Sequence, residues 1–205
     1  MSPTKPPLQF YFDFISPYGY FAARRINGIA ARHGRTVEWS SMLLGVSVMK
    51  VMGLKPLMDT PLKGDYAGKD VLRHARRLGL KPARAPEAPP MNPLTCGRAF
   101  QWMLKYHPEQ AVPLALAWMD AYWLEGKDFS APGSLAGVDL PDGVDAKALV
   151  EGAASPEAAA LLREAVERSL NAGVFGSPTV VVDGEMFWGV DRLEEVDAWL
   201  ASGGW

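Results

Sequence analysis

The chain has 205 residues, 48% hydrophobic and 21% charged, a balance that fits one folded domain, or one domain with a large insertion, and allows a sizeable core. A formal net charge of −2 gives no concentrated basic face for nucleic acid or acidic lipid, so neither is expected as a partner. One cysteine, Cys96, excludes an intramolecular disulfide.

The start, "MSPTKPPLQF", lacks the apolar core and small-residue cleavage site of a signal peptide. No stretch approaches the roughly 20 apolar residues of a membrane span. With the lone cysteine, these features make a cytoplasmic protein the expectation. "LQFYFDF" (8–14) is rich in aromatic residues and bounded by Pro7 and Ser16, which predicts a strand. "PYGYFAARRINGIAARHG" (17–34) places Tyr20, Phe21, Ala23, Ile26, Ile29 and Ala30 largely on one helical face, with Gly34 positioned to end the helix. "TVEWSSML" (36–43) predicts a second strand, so the first 43 residues form a βαβ unit with parallel pairing.

From about residue 46 the pattern changes. "VMGLKPLMDTPLKGDY" (51–66) reads as a loop, and helices are expected over about 64–79, 93–106, 109–125, 145–152 and 156–172. Arg73, Arg76 and Arg77 in the first of these read as a solvated face. "KPARAPEAPPMNP" and "SAPGSLAGVDLPDG" separate the helices as loops. "PTVVVDGEMFWG" (178–189) predicts a hairpin around Asp183-Gly184. "DRLEEVDAWLAS" (191–202) closes with an amphipathic helix in which Asp191 and Glu194 fit an Asp-x-x-Glu capping box.

Strand pairs at the two ends, split by a long helical block, resemble the thioredoxin-like fold with a large all-helical insertion, as in its DsbA-like branch. On that resemblance, residues 8–50 and 173–205 form the thioredoxin-like domain and 51–172 the helical insertion. The thioredoxin-like Cys-x-x-Cys loop falls on Ser16-Pro17-Tyr18-Gly19, where serine and glycine stand in place of both cysteines. A dithiol couple needs two protein sulfurs, so protein disulfide exchange is excluded. The helix N-terminus keeps its free N–H groups and its preference for an anion, a thiolate included.

"FYFDFISPYGYFA" and "GVFGSPTVVVDGEMFWGVDRL" together resemble the 2-hydroxychromene-2-carboxylate isomerases and the kappa-class glutathione transferases. "PLKGDYAGKDVLRHARRLGL" and "APPMNPLTCGRA" agree with the middle of that family. The resemblance implies glutathione as cofactor, a small aromatic or electrophilic substrate and a homodimer. It implies that the Ser16 hydroxyl donates to the glutathione sulfur on the Ser16-Pro17-Tyr18 loop. Pro178 is implied as the facing cis-proline, with Ser177 pairing its backbone to the cysteinyl part. Val190 and Asp191 would hold the γ-glutamyl end and Lys63 the glycyl end. Leu54 replaces the family's asparagine in a Gly-Asn-x-Pro segment, and Lys55 offers a different contact or a hold on a substrate carboxylate.

Each assignment has a plainer counterpart. Ser16 would cap a helix in any protein, as the internal comparison Ser155-Pro156 is expected to do. Asn92 reads equally as a cap or a substrate contact. Asp191 could only cap the last helix. His33, His74 and His107 lack metal-ligand spacing, and His74 is expected on a surface. Trp39 and Trp188 read as core, as do Met42, Met49, Met52 and Met58, although the methionines could line an apolar pocket. The resulting expectation is a glutathione-dependent isomerase of aromatic catabolism, which regenerates its cofactor. The alternatives are a kappa-like transferase or peroxidase that consumes glutathione, and a non-catalytic DsbA-like binding module.

Overall fold

In a computed structural model, residues 5–205 are described. One mixed sheet organises the chain: β1 (Leu8–Phe12), β2 (Val37–Ser41), β3 (Thr179–Val182) and β4 (Glu185–Trp188), in the order β2-β1-β3-β4. β1 pairs parallel with β2, placing Phe10 opposite Trp39, and antiparallel with β3, placing Phe10 opposite Val180. The chain ends therefore meet at β1 and β3, and α1 (Pro17–Arg32) crosses between β1 and β2. The predicted face of α1 is buried, and Gly34 at φ +66 follows the helix end.

Five helices fill the interval between the sheet halves: α2 (Lys63–Arg77), α3 (Pro93–Tyr106), α4 (Pro108–Leu124), α5 (Ala146–Ala154) and α6 (Pro156–Asn171). α3 lies against α4, α5 and α6, and shares one core with the sheet. Phe12 packs edge-on to Trp39 and Phe100, and Phe14 to Phe100 and Trp118. Sheet and helical block are joined by these ring contacts, each adding about 0.5–1.5 kcal/mol beyond its buried area. The chain leaves α6 through Gly173 at φ +77, makes the β3–β4 hairpin at Asp183-Gly184, and ends with α7 (Leu193–Ser202). Leu193, Val196 and Leu200 of α7 are buried as a face.

Three local expectations are corrected. Residues 45–51 form a π-helical turn and Leu57–Asp59 a 3₁₀ turn where loop and strand end were expected; the amide of Leu44 is instead pinned by a side chain described below. Asp191 lies in a 3₁₀ turn, Val190–Arg192, so α7 starts two residues later and has no side-chain cap. Glu194, the expected partner of that cap, pairs with Arg25 and Arg77 across to α1 and α2.

Candidate functional site

The site is assembled where β1 stops. Asp13 is buried at 1% exposure, and its carboxylate accepts N–H groups from Leu44 at 2.8 Å and Ile15 at 3.2 Å. Its own N–H donates to Ser177 Oγ at 3.0 Å, and its carbonyl accepts the N–H of Ser16 at 3.0 Å. One residue thus fixes the Ser16 loop, the Ser177 segment and the chain leaving β2. Burial pushes the Asp13 carboxyl up to about 6, against the opposing pull of those N–H groups.

That direction has a consequence for stability. A raised folded pKa means that the folded state binds the proton more tightly than the unfolded state does. Asp13's contribution is therefore full below its ordinary pKa and is lost as pH rises through about 6. Asp13→Asn removes the titration, while Asp128, Glu157, Glu194 and Asp197, whose pKa values are lowered, titrate alike in both proteins. In urea unfolding from pH 4 to 7, the variant should gain on the wild type by roughly 2 kcal/mol. Parallel stability curves would show that Asp13 is not titrating in this range.

Ser16 and Ser155 show what separates a cap from a site. Ser16 Oγ accepts the N–H of Gly19 at 3.0 Å and Ser155 Oγ that of Ala158 at 3.1 Å, the same capping contact. The Ser155 hydroxyl proton goes to the local Gly152 carbonyl at 2.6 Å. The Ser16 proton goes to the carbonyl of Ser177 at 3.1 Å, 161 residues away in sequence. Ser16 is 3% exposed, and the Ser177–Pro178 bond opposite it is cis, as the resemblance implied. Pro17 has no N–H, and that of Tyr18 has no partner among the described residues, so the N-terminus of α1 keeps a free donor. Gly19, where the second cysteine of a Cys-x-x-Cys loop would stand, has no room for a side chain: a Cβ would lie 2.6 Å from Ser177 Oγ.

Around this pair the chain places further groups. The N–H of Gly189 donates to the Pro178 carbonyl at 3.0 Å, tying the Val190–Asp191 turn to the cis-proline. Val190 is buried; Asp191 is exposed and paired with Arg192 at 3.1 Å. Trp188, expected in the core, is 54% exposed; it packs edge-on to Phe175 and covers Gly176, where any Cβ would overlap its indole. The Tyr18 hydroxyl donates to Asp70 of α2 at 3.0 Å, and its ring meets His74. Burial, then the Asp70 bond, pushes the Tyr18 phenol up, so it stays protonated. His74, expected on a surface, is half-buried between Tyr18 and Phe21.

Other expected contacts are not brought to Ser16. Lys63, Leu54 and Lys55 are exposed, and no hydrogen bond or ion pair joins them to the Ser16 group. Asn92 caps α3 by accepting the N–H of Leu94 at 3.1 Å. Of the methionines, Met42 is buried and Met58 half-buried, but Met49 and Met52 are exposed rather than core. Met52 and Val51 face Phe175 across a small apolar cleft of about 170 Å³. A larger open cleft, about 680 Å³ between Asp120 of α4 and Val138, contains none of the site residues. Cys96 is buried in α3 and its thiol is pushed well up by burial, which leaves it an inert core sulfur. Among the described residues no His, Cys, Asp and Glu cluster fit to hold a metal occurs, and no helix is long and apolar enough to cross a membrane.

Comparisons with known proteins agree with the fold. A family model for the DSBA-like thioredoxin domain matches residues 7–201. The 2-hydroxychromene-2-carboxylate isomerase of Sphingobium xenophagum is 28% identical over 94% of this chain and 97% of that protein. The enzyme of the same name from Pseudomonas putida is 28% identical over 91% of this chain and 90% of its own length. A solved 2-hydroxychromene-2-carboxylate isomerase superposes with a TM-score of 0.76 at 25% identity, covering 95% of this chain and 94% of that one. The cytosolic disulfide reductase DsbM of Pseudomonas aeruginosa, solved with GSH, matches in fold with a TM-score of 0.63 at 16% identity, covering 96% of each chain.

Proposed function

The chain belongs to the DSBA-like thioredoxin domain family, and on that premise we propose that it is a glutathione-dependent isomerase of 2-hydroxychromene-2-carboxylate. The observation that carries the proposal is the pairing of Ser16 with the Ser177–Pro178 segment at a helix N-terminus that holds no cysteine. The donor set suits a thiolate: a buried hydroxyl, the free Tyr18 N–H and the partial positive charge of α1. Gly19 is buried and carries no second loop thiol; Ser177 Oγ lies where its side chain would begin.

Glutathione held there would supply a thiolate able to add reversibly to the conjugated carbon of the ring-opened keto acid, the displaced electron pair resting on the ketone oxygen as an enolate while the former double bond rotates, and returning to re-form it as the thiolate leaves. The chain's residues hold and orient. The Ser177 backbone pairs with the cysteinyl unit as an added strand would. When a peptide N–H takes that carbonyl, the Ser16 hydroxyl is free to turn towards sulfur. Val190 and Asp191 are proposed to hold the γ-glutamyl end, Asp191 receiving its ammonium group, and Lys63 with Leu54 and Lys55 to flank the glycyl end. Asn92 Oδ1 caps α3, which leaves its side-chain NH2 group for a substrate contact. The exposed rings of Phe175 and Trp188, with Met52 and Val51, offer an apolar flank for an aromatic substrate.

In this reading residues 8–50 and 173–205 hold the cysteinyl and γ-glutamyl parts of the cofactor, the insertion 51–172 supplies the glycyl end and the substrate side, and the protein works as a cytoplasmic homodimer. The test follows the absorbance of 2-hydroxychromene-2-carboxylate with glutathione far below the substrate concentration. Many turnovers per glutathione and none without it are expected. One glutathione consumed per product would make the protein a transferase, and no glutathione binding at millimolar concentration would leave only a binding module.

A further inference from the structure

We propose that the side-chain hydroxyl of Ser177 is a second hydrogen-bond donor to a thiolate held at Ser16, an inference that rests on the glutathione reading above. A serine hydroxyl has one proton to give and two lone pairs. Ser16 gives its proton to the Ser177 carbonyl at 3.1 Å and accepts the Gly19 N–H at 3.0 Å. Ser177 Oγ accepts the Asp13 N–H at 3.0 Å, and its own proton meets no acceptor among the described residues. Ser177 is only 9% exposed, so an unused donor stands at a nearly dry position, where a missing partner is costly.

Gly19 marks where that donor stands. A Cβ built there would lie 2.6 Å from Ser177 Oγ and 3.1 Å from Ser16 Cβ. The two serine side chains therefore flank one point at the N-terminus of α1, the point a side chain of the second loop cysteine would start from. Ser177 Oγ takes up that space, and glycine at 19 makes room for it. An anion arriving beside Ser16 meets the Tyr18 N–H and both hydroxyls. Ser16 must release the Ser177 carbonyl before it can donate. Ser177 keeps its bond to Asp13 and only its hydroxyl hydrogen has to turn. The resemblance to known enzymes assigns Ser177 a backbone role alone; the side chain adds a donor that an apolar residue before the proline would not.

The test compares glutathione with S-methylglutathione, which has no thiolate, by calorimetry on the wild type and Ser177→Ala. The thiol of bound glutathione is titrated in parallel through its thiolate absorbance. Ser177→Ala should weaken glutathione by about tenfold, the worth of one hydrogen bond to a charged group, and raise the pKa of the bound thiol. S-methylglutathione should change less than about twofold, because the lost Asp13 contact affects both ligands alike. Equal losses for the two ligands, or an unchanged thiol pKa, would overturn the proposal while leaving Ser16 and the glutathione reading intact. A wild type that binds neither ligand would overturn that reading and this inference with it. If Ser177→Ala does not fold, Ser177→Thr against Ser177→Val makes the same comparison at equal volume. A selective loss of glutathione binding in the valine variant would then support the second donor, and equal losses would overturn it.

Discussion

Ser16→Ala should lower isomerase activity by about a hundred- to a thousandfold, the range found when one donor to a developing anion is removed. Its hydroxyl is buried, sits at the N-terminus of α1 and is linked to the Ser177 carbonyl, so water does not readily replace it. The thiol of bound glutathione should move up towards its free value of about 8.5 in the variant. The structural cost should be small by comparison. Losing an N-cap is worth about 1 kcal/mol, or about 2–4 °C in a chain of this size. Ser155→Ala supplies the control, because Ser155 caps α6 with nearly the same geometry and faces no site. It should match Ser16→Ala in melting temperature and leave activity unchanged. Equal activity in the two variants, read alongside their melting temperatures, would reduce Ser16 to a cap.

Gly19→Ala should be the most damaging single methyl in the loop. Alanine ordinarily favours a helix over glycine by about 1 kcal/mol. Here its Cβ would come within 2.6 Å of Ser177 Oγ and 3.3 Å of the Asp13 carbonyl, both held by buried hydrogen bonds. Relief requires the Ser177 hydroxyl to swing off the Asp13 N–H or the Ser177 segment to move away from Ser16. The net loss should be about 1–3 kcal/mol, as for other overpacked interiors, with glutathione binding falling at least about tenfold. Ser177→Gly in the same chain removes the obstructing oxygen but leaves the Asp13 N–H unpaired, so the double variant should lose clearly less than the sum of the two single losses, because the two positions share one space. A Gly19→Ala protein as stable and as well-binding as the wild type would mean that the loop is softer than its contacts imply.

Much of the frame is legible because punctuation is local. Ser-Pro at 16 and 155, Asn92-Pro93 and Asp183-Gly184 each fix a start or a turn within a few residues, and each stands where expected. The π-helical turn at 45–51 is not legible, since no hydrophobic period marks it and its anchor is the side chain of Asp13. Asp191 satisfies a capping pattern in sequence, yet Arg25 and Arg77 draw Glu194 elsewhere and α7 starts later. Trp188 sits on the edge strand, so a residue that composition assigns to the core is left in solvent beside Phe175.

The site divides in the same way. Ser16 and Pro178 can be found from the loop frame and the Gly-Ser-Pro segment. Asp13 carries a signal that could have been used: a carboxylate inside an aromatic strand must find buried donors or lose its charge. The fit of Gly19 to Ser177 has no local signature, because it exists only once the two ends of the chain meet across β1 and β3. Tyr18, anchored to Asp70, likewise becomes a rigid part of the loop only when α2 lies against α1.

Everything proposed for this anion site depends on its receiving the sulfur of glutathione. A crystal structure grown with glutathione tests that most directly. The sulfur is expected within hydrogen-bond distance of Ser16 Oγ, with the cysteinyl backbone paired to Ser177 beside Pro178. Glutathione bound elsewhere, or with its sulfur turned away from Ser16, would contradict it.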